Sequence, residues 1–267
     1  MMDSKGPVTT NRIRQMKAEG RKIAMLTGWD YSITRLMDAA GVDLILVGDS
    51  LGMAFQGQPN TLPVTLQQML YHTEIVARAA QRAMVITDMP FMTYHLSAEQ
   101  ALRNAGKCIQ KARAHGVKME GGEERAETIA RVVREGIPVM AHIGYRPQST
   151  FQFGDHVVQG KDELAVQKLI ADLEAVEQAG AFCVVLEAIR WEAAKLLTEK
   201  SRIPTIGIGS GPYCDGQIMI TADILGLYTD HVPKFVKRYA QLADISKAAI
   251  EAYIKEVREG TFPDLDH

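Results

Sequence analysis

A chain of 267 residues, 46% hydrophobic and 23% charged, has enough apolar content to offset chain entropy, which excludes intrinsic disorder. Its 30 basic and 32 acidic side chains nearly cancel, so a chain-wide basic footprint for nucleic acid is absent, and no apolar run approaches the ~18 residues of a membrane span. The 3 cysteines, Cys108, Cys183 and Cys214, are scattered and form no Cys-x-x-Cys pair, which argues against a disulfide framework or a thiolate zinc site and suits a reducing cytoplasm.

Residues 1–7 carry no apolar stretch of the kind a signal peptide needs, and residues 9–19 read as a helix leading into the first strand. Short apolar, β-branched runs then recur at 23–27, 43–47, 84–87, 117–119, 138–141, 183–186, 205–208 and 217–221. Each has the length of a strand buried on both faces, as in a parallel sheet. The stretches between them read as helices. Thr65 with Gln68 and Ser97 with Gln100 have capping-box spacing, Gly116, Gly136 and Gly180 stand where helices should end, and Val166, Leu169, Ile170, Leu173 and Val176 form an apolar stripe. Segment 211–216 is too short for a helix, and 234–257 carries one or two final helices. Alternating βα units without a linker predict one α/β domain over 1–267, and eight strands favour a closed (β/α)8 barrel over an open doubly wound sheet.

The polar residues that end these runs carry the chemistry. Asp49, Asp88, Glu120, His142, Glu187 and Ser210 each follow a different run, and in a barrel all such ends meet at one mouth. An acid after a strand is often a helix N-cap, but Asp49 and Asp88 open long loops before Thr65 and Ser97, and Glu120 is a poor cap type followed by Gly121-Gly122. Hard oxygen donors without a Cys or His cluster suit Mg2+. Lys118 shares a strand face with Glu120 and either pairs with an acid or binds substrate. Glu187 reads equally as a general base or as a cap of the helix near 190, and His142 as a satisfied interior histidine or a substrate contact. Gly207-Ile-Gly-Ser-Gly211 is either an anion cradle or a sharp turn; it is neither a Walker A loop nor a dinucleotide fingerprint.

The segments AGVDLILVGDSLGM (40–53), VKMEGG (117–122), GIPVMAHIGYRPQS (136–149), AGAFCVVLEAI (179–189) and IPTIGIGSGPYCDGQI (203–218), with shorter matches at 61–65, 71–73, 157–160 and 232–239, together resemble the ketopantoate hydroxymethyltransferase family. The resemblance implies a barrel of the phosphoenolpyruvate/pyruvate-binding type and a large homo-oligomer, often a decamer. It implies Mg2+ on Asp49, Asp88 and Glu120, a 2-oxoacid held by Ser50 and Lys118 with the aspartates, and Glu187 as proton acceptor. His142 and Ser210 fall in matching segments as pocket residues. The implied reaction moves a hydroxymethyl group from 5,10-methylenetetrahydrofolate to 3-methyl-2-oxobutanoate, giving 2-dehydropantoate. A metal-dependent aldolase or lyase using the same acids, or a catalytically silent barrel scaffold, are the rival readings. Two departures from the family pattern stand out: the approach to Lys118 over 112–118 is short, and Trp29 in Gly28-Trp29-Asp30 replaces a tyrosine.

Overall fold

The computed structural model describes residues 6–154, 157–229 and 232–267, so most of the N-terminal leader reading lies outside the described residues. The strands are β1 (Ile23–Thr27), β2 (Leu44–Val47), β3 (Met84–Asp88), β4 (Gly116–Glu120), β5 (Val139–Gly144), β6 (Cys183–Glu187), β7 (Thr205–Ile208) and β8 (Gly216–Met219). They close in sequence order into a parallel barrel. The helices are α1 (Thr10–Ala18), α2 (Tyr31–Ala40), α3 (Leu51–Ala54), α4 (Leu66–Ala79), α5 (Ala98–Gln110), α6 (Ala126–Arg134), α7 (Thr150–Phe153), α8 (Glu163–Gln178), α9 (Trp191–Lys200), α10 (Thr221–Ile224) and α11 (Leu242–Glu259). Two compact units are distinguished, Met1–Ile218 and Met219–His267. In the second, α10 and α11 are linked through backbone bonds such as Leu242 N–H to Leu225 O. Residues 234–241 are not helical, so the final helical stretch predicted over 234–257 reduces to α11. No helix among the described residues is long and apolar enough to cross a membrane.

The period of two along the strands sorts the core into layers. Val117 and Met119 on β4, Val139, Ala141 and Ile143 on β5, and Val184 and Leu186 on β6 face outward, where they pack on Cys108, Ile129, Val132, Leu169, Leu173 and Val176 of the helices. The alternate residues face the barrel interior. There Met84, Ile86, Met140, Cys183, Val185 and Ile206 fill the lower part with apolar volume. The same inward rows end at the top in Asp88, Lys118, Glu120, His142 and Glu187.

Local chemistry fixes the helices. Thr65 and Gln68 form a complete reciprocal capping box on α4. At α5 only half of the expected box exists: Ser97 accepts from Gln100 N–H, while the Gln100 side chain bonds Leu96 N–H and Met92 O. Gly136 and Gly180 follow α6 and α8 with φ of 82° and 91°, as helix-ending glycines should. Gly116 does not end a helix. It opens β4, where an added Cβ would lie 2.8 Å from Pro138 O, and the turn after α5 is taken by Arg113 at φ 61°. The register then pairs Lys118 with Asp88 and Glu120 with His142.

Candidate active site

Asp49 follows β2, Asp88 ends β3, Lys118 and Glu120 lie on β4, His142 on β5 and Glu187 at the end of β6, so the chain delivers them to one barrel mouth. All but Glu187, whose side chain is 18% exposed, are buried. The Lys118 ammonium is 2.6 Å from Asp88 Oδ1 and 4.0 Å from Glu120 Oε1. Burial disfavours that cation, but Asp88 and Glu120 outweigh it and hold the ammonium above the usual lysine range. Lys118 therefore donates to His142 Nδ1 at 3.2 Å. Burial, then the Lys118 charge, keeps the imidazole neutral well below the usual histidine range. With Nδ1 accepting, the ring proton sits on Nε2, 3.3 Å from Glu187 Oε2.

The turn after β2 is pinned from two sides. Asp49 N–H donates to Asp88 Oδ2 at 3.0 Å, and the buried Trp29 indole donates to Gly48 O at 3.0 Å. The Trp29 departure thus keeps a donor, spent on holding the backbone beside Asp49. A short helix, α3, starts directly after Ser50 rather than the loop expected there, and no side-chain bond caps it. Ser50 is half-buried, and its Oγ lies 2.9 Å from where a Cβ on Gly48 would stand. The N-cap position of α9, which begins at Trp191, is Arg190 rather than Glu187, and its side chain makes no cap bond. The Glu187 carbonyl accepts from Tyr145 N–H, and the following Ala188 adopts a left-handed φ of 49°. Ser210 Oγ donates to Leu186 O at 2.7 Å and accepts from Ile189 N–H at 3.0 Å, so this hydroxyl is committed to fixing the backbone on either side of Glu187. Gly211 lets its loop approach α9 closely: an added Cβ would lie 2.4 Å from Trp191 Cβ.

Two residues that the motif reading passed over sit at the centre. Gln148, buried in the turn after β5, donates through Nε2 to Asp49 Oδ2 at 2.8 Å and to Met89 O at 2.9 Å, and through its backbone N–H to Glu120 Oε2 at 3.0 Å. Tyr94 donates to Gln148 Oε1 at 2.8 Å and accepts from Glu120 N–H at 3.1 Å. Both lie in loops with ordinary composition. The one available sign was a glutamine directly after Pro147 beyond a strand end.

Asp88 Oδ1, Glu120 Oε1 and His142 Nε2 are buried without an aligned hydrogen bond, although ion-pair contacts reach them. Buried carboxylate oxygens in this condition, in an all-oxygen donor set, fit Mg2+ by chemistry. Among the described residues no set of three His, Cys, Asp or Glu side chains closes a metal site by itself. Mg2+ does not need one, since it takes one or two carboxylates and completes its shell with water and substrate oxygens. The physical reason for the open arrangement is that Lys118 stands between Asp88 and Glu120, while Gln148 holds one oxygen each of Asp49 and Glu120.

Crowding sets a pH dependence. Burial, opposed by Lys118 and reinforced by Asp88, pushes the Glu120 carboxyl up to about 8. Burial, then Asp88 and Glu120, holds Asp49 well above the usual carboxylate range. An acid whose folded value is raised stabilises the fold below its unfolded value and loses that contribution as pH rises through the folded one. His142, kept neutral, acts oppositely below the usual histidine value of about 6.5. The melting temperature of metal-free protein is therefore expected to fall between about pH 6.5 and about pH 8, and Mg2+ to flatten that fall. Scanning calorimetry across this range checks it; stability that rises over the same interval contradicts the ionisation pattern.

Comparison with known proteins bears on the chain as a whole. The ketopantoate hydroxymethyltransferase family model matches residues 7–265. The 3-methyl-2-oxobutanoate hydroxymethyltransferase of Syntrophus aciditrophicus is 52% identical over 265 residues, covering 99% of this chain and 97% of its own length. That of Geobacter metallireducens is 50% identical over 255 residues, covering 96% of each. Among solved structures, a phosphonopyruvate hydrolase complex with oxalate and Mg2+ aligns with a TM-score of 0.64 at 14% identity, over 97% of this chain and 93% of its own. A 2,3-dimethylmalate lyase, described as a PEP mutase/isocitrate lyase superfamily member, aligns at 0.61 and 17% identity, over 97% and 88%. The distant structures share the barrel. The close relatives and the family model place the chain itself: it belongs to the ketopantoate hydroxymethyltransferase family.

Proposed function

We propose that this chain transfers a hydroxymethyl group from 5,10-methylenetetrahydrofolate to 3-methyl-2-oxobutanoate, giving 2-dehydropantoate. The observation that carries this reading is the single mouth in which the Asp49, Asp88 and Glu120 acids and Lys118 face Glu187 across a neutral His142. Asp49, Asp88 and Glu120 would hold Mg2+, which when bound supplies Lewis-acid stabilisation of enolate charge. Lys118 and Ser50, with the aspartates, orient the oxoacid carboxylate. Glu187 takes the proton from C3 of the oxoacid, and the electron pair it leaves becomes the enolate. C3 then attacks the folate's methylene carbon: one of its two bonds to folate nitrogen breaks as the carbon–carbon bond forms, the other breaks as a water oxygen becomes the hydroxyl, and the proton held on Glu187 and one from the water go to the two nitrogens as tetrahydrofolate leaves. His142, with Nε2 3.3 Å from Glu187 Oε2, flanks the base, and Ser210 lines the pocket from behind by fixing the backbone on either side of Glu187.

Incubation with 3-methyl-2-oxobutanoate, Mg2+ and methylenetetrahydrofolate is expected to yield 2-dehydropantoate, read by mass spectrometry, only when all three are present. Turnover of a 2-oxoacid that ignores the folate would instead favour an aldolase or lyase. The same reading takes residues 1–267 as one barrel domain with terminal helices, working in the cytoplasm, which the three buried free cysteines suit. It also takes the protein as a homo-oligomer, specifically a decamer. Support for assembly comes from α11, which buries none of its residues and exposes Ile250, Tyr253, Ile254 and Val257 at helical spacing.

A further inference from the structure

We propose that Gln148, locked by Tyr94, is a positioning residue that sets the carboxylates of Asp49 and Glu120 for a divalent cation. The inference rests on the reading of these acids as the cation-holding group. Its basis is that one residue touches both acids by separate atoms: the side-chain Nε2 holds Asp49 Oδ2, and the backbone N–H holds Glu120 Oε2. Asp49 comes from the end of β2 and Glu120 from β4, with β3 between them, so Gln148 spans elements that do not pair directly.

The orientation of the amide is determined by its neighbours. Met89 O can only accept, so the group facing it at 2.9 Å is the NH2, which places Oε1 against the Tyr94 hydroxyl. Glu120 N–H donates to Tyr94 O, and Tyr94 O–H donates to Gln148 Oε1, forming a loop of bonds that begins and ends on Glu120 and Gln148. Tyr94 is fully buried and Gln148 is 5% exposed, so solvent does not compete for these bonds. What the loop leaves for a cation is the other oxygen of each acid. For Glu120 that atom, Oε1, is one of the buried oxygens without an aligned partner. Partners of metal ligands that fix their direction commonly change metal affinity by about 10–100-fold when removed.

The test is calorimetric titration of the full chain with Mg2+, paired with the electron paramagnetic resonance spectrum of bound Mn2+. Gln148→Met keeps the side-chain length and the backbone N–H while deleting the amide bonds. It is expected to bind Mg2+ about 10–100-fold more weakly and to broaden the Mn2+ lines. Tyr94→Phe, which removes one hydroxyl, is expected to weaken binding by about 3–10-fold. Thr205→Val deletes buried hydroxyl bonds to Thr198 and Asp215 at the start of β7, and controls for loss of stability alone. Wild-type affinity in Gln148→Met, with wild type binding normally, overturns the positioning role and leaves the cation reading standing. A loss in Thr205→Val as large as in Gln148→Met also overturns it. Absence of Mg2+ and Mn2+ binding to wild type overturns the cation reading and this inference together. If Gln148→Met does not fold, Tyr94→Phe decides by the same criterion.

Discussion

Glu187→Gln is expected to slow exchange of the C3 proton of 3-methyl-2-oxobutanoate with deuterated water by about 100- to 10,000-fold, the range a positioned general base supplies. Oxoacid binding should change by less than about threefold, because the substitution removes basicity and keeps shape. The backbone that carries this carboxylate is over-determined. Gly144 and Ile208 flank it across the sheet, Tyr145 N–H holds its carbonyl, and Ser210 ties the backbone at Leu186 and Ile189. The left-handed Ala188 directs the chain away immediately afterwards, at a backbone geometry that costs an alanine about 1 kcal/mol and persists only where its surroundings enforce it. A glutamine keeps the 3.3 Å contact with His142 Nε2 but cannot take the proton. Proton exchange at the wild-type rate in Glu187→Gln, followed by NMR, removes Glu187 from the role of base.

The second large effect falls on Lys118. Lys118→Met is expected to destabilise the metal-free protein by about 3–5 kcal/mol, the usual consequence of removing one partner from a buried ion pair. Its side chain is 5% exposed, and its ammonium is the charge that lets Asp88 and Glu120 coexist beside Asp49. For a chain of this size each 1 kcal/mol moves the melting temperature by about 2–4 °C, so the loss is readily measured by thermal or urea unfolding. Mg2+ should recover a larger fraction of stability in the variant than in wild type, since a second cation then compensates the same carboxylates. A variant as stable as wild type without metal would mean that the buried Lys118–Asp88 ion pair does not support the fold.

The strands were legible because parallel barrel strands are apolar on both faces, and all eight predicted runs coincide with strands to within a few residues. The site residues at the ends of those runs were legible for a related reason: a charged residue closing an apolar run has nowhere to point but the mouth. Position in sequence could not reveal what the acids do to one another. That Lys118 contacts Asp88 on the neighbouring strand depends on the β3–β4 register, which pairs the two residues directly. Gly116 misled for want of the same information: a helix end and a crowded strand start both call for glycine, and only the proximity of Pro138 O separates them. Gln148 and Tyr94 were missed because hydrogen bonds that span three loops leave no periodic trace. Ser210 was found by position, yet its hydroxyl serves the backbone.

The most direct measurement of the central claim is wild-type exchange of the C3 proton in deuterated water, without folate and with or without Mg2+. Loss of the C3 signal of 3-methyl-2-oxobutanoate, with collapse of the methyl doublet, is expected with Mg2+ and not in its absence. A protein that binds the oxoacid and Mg2+ yet leaves that proton in place would contradict enolisation at this barrel mouth.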